Sequence, residues 1–202
     1  MDAYQDQYKT IAAPSGEILY KDRNSKFYGY AFPIETEEDA KHILGELRKT
    51  HPGANHVCYA WKLGITNPAY KANDDGEPNN SAGMPIYGQL QSFEVTNILL
   101  AVVRFFGGTK LGVGGLIQAY RSTAQQTLEN SKILVKTIQE PLSISFNYVE
   151  MNKVMQIVKK NRLSITSQRM NMNCHLLLSV RKRDLKKIKS MFRKIPGVEI
   201  KD

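Results

Sequence analysis

The sequence has few cysteines, no long apolar run and no apolar segment at its start. Cys58 and Cys174 are its only cysteines in 202 residues, and both lie in apolar, strand-like runs, which suits buried reduced thiols better than a disulfide. The longest apolar run, Ile98–Val103, is far shorter than the roughly 20 residues that cross a bilayer. Residues 1–10 are polar and lack the apolar core of a signal peptide. We therefore expect a cytoplasmic protein that does not enter a membrane.

Acidic residues are scarce in the last third of the chain. Up to Lys132 the sequence has 13 lysines and arginines against 14 aspartates and glutamates, whereas from Ile133 onward it has 15 against 5. The net charge of +9 therefore comes from the carboxyl-terminal segment. Clustered positive charge gains free energy from counterion release on phosphate backbones. The asymmetry thus predicts two domains, 1–132 and 133–202, of which the second faces a polyanion.

The first domain is predicted to contain strands and amphipathic helices joined by two long polar or glycine-rich connections. Thr36 is expected to cap a helix whose apolar residues recur every three or four positions. Residues 97–106 are almost continuously apolar, which is typical of a central strand covered on both faces. Residues 64–83 predict a long loop, of a length that is usually functional or mobile. We expect a short helix to open at Pro85 and a longer one to follow the glycine-rich turn of residues 107–115.

The second domain alternates between the apolar spacing of strands and that of helices. Apolar residues have strand spacing around Ile144, Ile165, Leu176 and Ile200. They have helical spacing between Ile144 and Ile165 and again between Leu176 and Ile200. The order is βαββαβ, the pattern of a ferredoxin-like fold. The sequence therefore predicts an α+β protein with two domains.

Three segments of the first domain resemble the YigZ/IMPACT family. They are Asn73-Asp74-Asp75-Gly76-Glu77-Pro78 followed by Ser81-Ala82-Gly83-Met84-Pro85, then Val102-Val103-Arg104-Phe105-Phe106-Gly107-Gly108-Thr109-Lys110-Leu111-Gly112, and finally Gly114-Gly115-Leu116 with Ala119-Tyr120. The resemblance covers about residues 25–131. It departs from the commoner family pattern at Asn79-Asn80-Ser81, where a glycine and a threonine are usual, although asparagine tolerates left-handed backbone angles and serine keeps the hydroxyl.

The resemblance implies a fold and a cellular process. The first domain is expected to be similar to domain IV of elongation factor G and to the related ribosomal-protein βα fold, and the second to domain V of the same factor. Members of the family are linked to translation control. Eukaryotic members modulate the kinase pathway that responds to amino-acid starvation, but they carry a further partner-binding domain for which this chain has no room, so we do not transfer that mechanism.

A candidate anion or ligand site lies in the first domain. The glycine-rich turn precedes a helix, so its free backbone amides could hold a phosphate with help from Arg104 and Lys110, although it matches no standard nucleotide motif and a tight structural turn explains it equally well. The carboxylates of Asp74, Asp75 and Glu77 could bind Mg²⁺ or belong to a solvated turn. His56 and Cys58 share a strand face, where a buried thiol beside a hydrogen-bonded histidine is more usual than a nucleophile and its base. The candidate residues are His56, Asp74, Asp75, Glu77, Arg104, Gly107, Gly108, Lys110, Gly114 and Tyr120.

A second candidate site is a run of cations in the second domain. They are expected to lie along one face of a helix, opposite its apolar residues, with only Asp184 as an acidic neighbour between Arg181 and Lys194. A solvated helix face is the simpler explanation, but a polyanion would relieve the repulsion between like charges. The candidate nucleic-acid-binding residues are Lys182, Arg183, Lys186, Lys187, Lys189 and Arg193.

These observations favour a translation regulator associated with RNA or the ribosome, without a catalytic site, cofactor or metal, and with a protein of the translation apparatus as a further partner. Two alternatives stay open at this point. One is a hydrolase-like enzyme that acts on an anionic or phosphorylated substrate through Asp75, Glu77, Arg104 and Lys110. The other is a protein-interaction module with no ligand of its own.

Overall fold

The structure, a computed structural model, describes residues 6–201. It contains two compact units, one formed by Tyr8–Lys136 and the other by residues 137–201 together with residues 6–7. No helix within the described part of the chain combines the length and the hydrophobicity needed to cross a membrane. A division into independent domains between Lys132 and Ile133 stays a prediction.

The first unit is built on a five-stranded antiparallel sheet with the strand order β2-β3-β6-β4-β5. A separate pair, β1 with β7, lies outside this sheet. The strands are β1 Gln7–Ile11, β2 Ile18–Asp22, β3 Ser25–Pro33, β4 His56–Leu63, β5 Ala69–Asn73, β6 Ile98–Phe105 and β7 Ile133–Thr137, and the helices are α1 Glu37–Thr50, α2 Gly83–Ser92 and α3 Gly112–Glu129.

Helix α1 begins where its sequence predicts. The Thr36 hydroxyl accepts a hydrogen bond from the Asp39 backbone N–H at 3.1 Å, and the Asp39 carboxylate accepts one from the Thr36 N–H at 2.9 Å. This capping box satisfies backbone donors that the first helical turn leaves without partners. The cap fixes the start of α1, whose Ala40 packs with Trp61 and Leu99 on one face of the sheet.

Strand β6 is the central strand, as its continuous apolar sequence predicts. Its residues alternate between the two faces, so Leu100 and Val102 lie in the core that α2 and α3 cover, whereas Leu99 packs beside α1. The same alternation places Arg104 on the α2–α3 face, opposite Phe27 of β3 and His56 of β4 in the register. Arg104 is therefore a charged residue near the end of the central strand, beside the apolar core.

Three sequence-based expectations are wrong in the first unit. The polar segment 64–83 contains β5, which pairs with β4 and stacks Tyr70 on Tyr87 with ring centroids 4.1 Å apart. Helix α2 begins at Gly83 rather than at Pro85. Helix α3 begins at Gly112, so Gly114 lies inside the helix and the turn is shorter than its glycine content predicts.

The second unit has the predicted βαββαβ order. Its four strands form an antiparallel sheet in the order β11-β8-β10-β9, which is the ferredoxin-like topology. The two-domain α+β class is therefore confirmed, while the likeness to elongation factor G stays a prediction. The elements are β8 Gln139–Asn147, α4 Met151–Lys160, β9 Ser164–Arg169, β10 Asn173–Arg181, α5 Leu185–Arg193 and β11 Val198–Lys201.

Candidate functional site

A buried ion pair lies at the centre of the predicted ligand site. Nη1 of Arg104 donates to Oε1 of Glu77 at 2.5 Å, and the two side chains are only 6% and 4% exposed. The guanidinium carbon lies 5.4 Å from the ring centroid of Phe27 and 5.6 Å from that of Phe106, within the range of cation–π attraction. Since the pair joins β6 to the loop between β5 and α2, it fixes that loop against the sheet.

Tyr120 and Cys58 extend this pair into a buried network. The Tyr120 hydroxyl donates to Oε1 of Glu77 at 2.7 Å, and the Cys58 thiol lies 3.3 Å from the Tyr120 oxygen and 3.0 Å from the backbone oxygen of Asp74. Burial raises the pKa of the Cys58 thiol well above its ordinary value. The thiol therefore stays protonated at neutral pH, which argues against a nucleophile at this position.

His56, the register partner of Arg104, lies on the same α2–α3 face of the sheet but has a structural role. Its Nδ1 is 2.8 Å from the backbone oxygen of Asp75, and because a carbonyl oxygen can only accept, Nδ1 carries the proton. Nε2 then faces Oε1 of Glu77 at 3.9 Å. The imidazole makes no hydrogen bond to Cys58 among the described contacts, so the two residues do not form a base and nucleophile pair.

The two aspartates of the loop are also held by the protein itself. The Asp74 carboxylate accepts hydrogen bonds from the backbone N–H groups of Asn80, Ala82 and Gly83 at 2.8–2.9 Å. These bonds close the loop and occupy the amino-terminal end of α2. The Asp75 carboxylate accepts from the Val57 N–H at 2.6 Å and pairs with Arg48 of α1 at 2.6 Å.

The carboxylates consequently do not converge. Glu77 is bound by Arg104 on the α2–α3 side of the sheet, whereas Asp75 is bound by Arg48 of the helix on the other side. Over residues 6–201, no group of three or more histidine, cysteine, aspartate or glutamate side chains is arranged to hold a metal ion. The loop is best described as a set of internal bonds that shape the surface.

The glycine-rich turn lies beside a different part of the unit. The Gly107 N–H donates to the Ser25 hydroxyl at 3.1 Å, and a Cβ at this position would lie 2.0 Å from the Asn24 carbonyl carbon. Glycine is therefore required by close contact with the β2–β3 hairpin. Lys110 is exposed and forms no ion pair within the described residues. None of Gly108, Lys110 and Gly114 makes a hydrogen bond to the Glu77 network in the part of the chain that the structure describes.

Sequence reasoning missed several partners of this network. The pairs Arg48–Asp75 and Tyr120–Cys58 join residues 27 and 62 positions apart, which no local pattern reveals. The Ser81 hydroxyl and Nε of Arg104 are buried and have no hydrogen-bond partner among the described atoms. The only signal for Ser81 in the sequence was the place of its hydroxyl in the segment Ser81–Pro85, which resembles the family.

The basic surface of the second unit differs in detail from its prediction. Helix α5 begins at Leu185, so Lys182 and Arg183 belong to a preceding 3₁₀ turn rather than to a continuous helical stripe. Arg183 is not unpaired, because its Nε lies 3.7 Å from Asp6 and 3.9 Å from Asp184. Lys189 is half-buried. The cations that remain exposed are Lys182, Arg183, Lys186, Lys187, Arg193 and Lys194.

The end of α4 adds cations that the sequence did not single out. Lys159 and Lys160 end this helix and Arg162 follows it, and all three are exposed. Arg162 lines a cleft of about 480 Å³ together with Arg181, Lys187 and Asp184. The basic surface of the second unit is defined by its exposed cations, which are Lys159, Lys160, Arg162, Lys182, Arg183, Lys186, Lys187, Arg193 and Lys194. In the cleft, Arg181 is already paired with Asp6, whereas Arg162 and Lys187 form no ion pair within the described residues, so these two cations favour an anionic occupant.

Comparison with known proteins supports a single family. A model of the Impact N-terminal domain matches residues 23–128, which include the whole Glu77 network. An IMPACT family member of Haemophilus influenzae is 30% identical over 181 residues, covering 88% of each chain. YigZ of Escherichia coli, also described as an IMPACT family member, is 31% identical over 146 residues, covering 71% of this chain and 72% of its own.

A solved structure supports the fold over nearly the full length. The crystal structure of a hypothetical protein aligns with 97% of this chain and 97% of its own, with a TM-score of 0.73 and 24% sequence identity. The family model covers more than half of the chain, and the Haemophilus influenzae relative matches both units. The chain therefore belongs to the IMPACT family.

Proposed function

We propose that this protein is a regulator of translation that binds RNA or the ribosome in the cytoplasm, with phosphates held on the basic surface of the second unit. The observation that carries the proposal is the segregation of charge, with 15 cations against 5 acids from Ile133 onward. Membership of a family whose resemblance implies translation control supports the cellular process. A protein of the translation apparatus is a further partner under this proposal.

The placement of the cations supports a phosphate-binding role. Six exposed cations lie on α5, the turn before it and the residue after it, and three more lie at the end of α4. Like charges on one helix face repel each other by a few tenths of a kcal/mol per pair. Phosphates would relieve this repulsion and release counterions. The cleft between these elements offers a concave position where Arg162 and Lys187 could bind a phosphate; Arg181, which also lines it, is paired with Asp6.

The hydrolase-like alternative gains no support from the geometry. It requires Asp75, Glu77, Arg104 and Lys110 to act on one substrate. Glu77 and Arg104 instead bind each other out of contact with water, and Asp75 pairs with Arg48 on the opposite side of the sheet. Lys110 makes no contact with either carboxylate among the described hydrogen bonds and ion pairs. We therefore assign this network the task of shaping the loop.

Charge reversal with a matched control tests the proposal. Lys182, Lys186, Lys187 and Arg193 are all exposed and would be changed together to glutamate. Affinity for a fluorescein-labelled RNA is measured by fluorescence anisotropy, and association with ribosomes by co-sedimentation. We expect a loss of roughly 100-fold or more, because phosphate contacts are replaced by repulsion.

The control separates a specific surface from net charge. Lys41, Lys49, Lys71 and Arg121 are exposed residues of the first unit, and their change to glutamate alters the net charge by the same amount. We expect this control to retain affinity within about threefold, since long-range effects are screened beyond the Debye length. Equal losses in both variants would show that the basic surface is not the binding site.

A further inference from the structure

Strand β3 presents aromatic side chains on the sheet face opposite α2 and α3. Tyr28, Tyr30 and Phe32 alternate with buried residues, and each is half-buried. Helix α1 packs mainly over β4 and β6 on this face, and Leu19 of β2, the register partner of Tyr28, is 42% exposed. We call Tyr28, Tyr30, Phe32, His51 and Phe105 the aromatic strip.

The rings of the aromatic strip are held in position by one another and, at Tyr30, by a hydrogen bond from its hydroxyl to the Glu17 carboxylate. His51, which follows α1, stacks on Tyr28 with centroids 5.8 Å apart, and its Nε2 lies 2.7 Å from the Tyr30 hydroxyl. Phe105 meets Tyr28 edge to face at 5.7 Å, and Tyr30 stacks against Phe32 at 6.4 Å. Because the rings are fixed before any ligand arrives, little conformational entropy is lost when a flat ligand stacks on them.

Cations border one end of the aromatic strip. The β2–β3 hairpin carries Lys21, Arg23 and Lys26, and Asp22 is the only acid between them. The glycine-rich turn packs directly on this hairpin through Gly107, and Lys110 lies three residues further along the turn. All four cations are exposed, and none forms an ion pair within residues 6–201. This edge therefore complements a negatively charged ligand.

A small cavity lies where the rings meet the cations. It measures about 270 Å³ and is lined by Asn24, Lys26, Tyr28, Phe105 and Phe106. Aromatic faces stack on nucleobases, an asparagine amide both donates and accepts hydrogen bonds, and a lysine binds phosphate. The combination matches the parts of a nucleotide.

We propose that the aromatic strip binds single-stranded RNA by stacking its bases, with the hairpin cations and Lys110 contacting the backbone. Antiparallel sheets with aromatic residues on an open face bind unpaired bases in this way. A duplex is disfavoured because its bases already stack on each other and cannot reach the rings. This inference goes beyond the proposed function, since it concerns the other unit and contacts to bases rather than to phosphates alone.

The experiment compares aromatic variants of the full-length chain. The double substitution Tyr28→Leu and Phe105→Leu keeps apolar bulk but removes two stacking surfaces. The matched control is Tyr70→Leu, since Tyr70 is 53% exposed and stacks on Tyr87 at 4.1 Å on β5, at the opposite edge of the sheet. The probe is a fluorescein-labelled oligouridine of about 12 nucleotides, within the range of single-strand site sizes. A labelled RNA duplex of equal length is measured in parallel.

We expect the double variant to bind the oligouridine about 5- to 150-fold more weakly for each base that loses its stacking partner. Its affinity for the duplex, and the affinity of Tyr70→Leu for both probes, should stay within about twofold. The charge-reversed α5 variant, in which Lys182, Lys186, Lys187 and Arg193 are glutamate, should instead bind both probes more weakly. Loss on the aromatic variant alone would therefore support this inference even if the basic surface proved inactive.

A second readout does not depend on any variant folding. Ultraviolet cross-linking of the unmodified protein to the oligouridine, followed by peptide mapping, should place cross-links on β3 or on the segment around Phe105. Cross-links confined to the second unit, or an unchanged oligouridine affinity in the double variant, would overturn the inference. Either result would mean that the aromatic strip does not stack on RNA bases.

Discussion

Glu77 and Arg104 form a buried ion pair, and we predict that removing either charge strongly destabilises the first unit. Their side chains are 4% and 6% exposed, so Glu77→Gln leaves a guanidinium in an apolar core without a counter-charge. Breaking a buried pair in this way costs about 3–5 kcal/mol. This is a large share of the roughly 5–15 kcal/mol that stabilises a typical domain. Arg104→Met should cost a similar amount, because it removes the counter-charge of the buried carboxylate and leaves the Tyr120 hydroxyl as its hydrogen-bond donor among the described side chains.

Urea unfolding followed by tryptophan fluorescence measures this effect. Trp61 is the only tryptophan, and it packs with Leu99 in the first unit, so its signal reports on that unit. The double variant should be more stable than the sum of the two single losses by about 1–3 kcal/mol, because it leaves no unpaired charge. Glu94→Gln, which breaks an exposed pair with Lys9 of 2.7 Å, should not shift the midpoint.

Small and additive losses in the free energy of unfolding would refute this reasoning. If Glu77→Gln and Arg104→Met each cost less than about 1 kcal/mol, as exposed pairs do, the pair would not be buried in solution. The loop between β5 and α2 would then need another anchor.

Three further predictions concern packing, reactivity and pH. Gly107→Ala should lower the unfolding free energy by roughly 2 kcal/mol or more because its Cβ would meet the hairpin backbone, whereas Gly114→Ala, with open space inside α3, should raise it by up to about 1 kcal/mol. The Cys58 thiol, whose pKa is raised by burial, should react with a disulfide reagent at pH 8 only after unfolding, and fast labelling of native protein would contradict its placement. Asp6 has a pKa lowered by its hydrogen bond from Arg181, so its stabilising effect should be complete above the unfolded pKa of about 4 and be lost as pH falls through the folded value. Arg181→Gln should abolish that loss in acid unfolding curves.

Elements with a strong local pattern could be predicted from the sequence. The cap at Thr36 and the continuous apolar run of β6 depend on neighbouring residues, and both lie where expected. Strand β5 was missed because it is short and mostly exposed, and its position is set by pairing with β4. The start of α3 was misplaced because glycine is poor in helices, yet Gly114 and Gly115 lie within one.

The candidate ligand site was predicted only as a set of residues. The sequence named Glu77, Arg104 and Tyr120 together because a family motif contains them, but not that they bond to one another across 27 and 43 positions. Distances between segments depend on how the sheet is assembled, which periodicity does not specify. The aromatic strip was missed for the same reason, since it combines β3 with His51 and Phe105.

The salt dependence of RNA affinity tests the central claim most directly. Binding of single-stranded RNA to the unmodified protein is measured by anisotropy over a range of KCl concentrations. If about four phosphates contact the basic surface, log affinity should fall with log salt with a slope of about −3, and the charge-reversed α5 variant should show a much shallower slope. No measurable affinity at low salt, or the same slope in both proteins, would contradict the account.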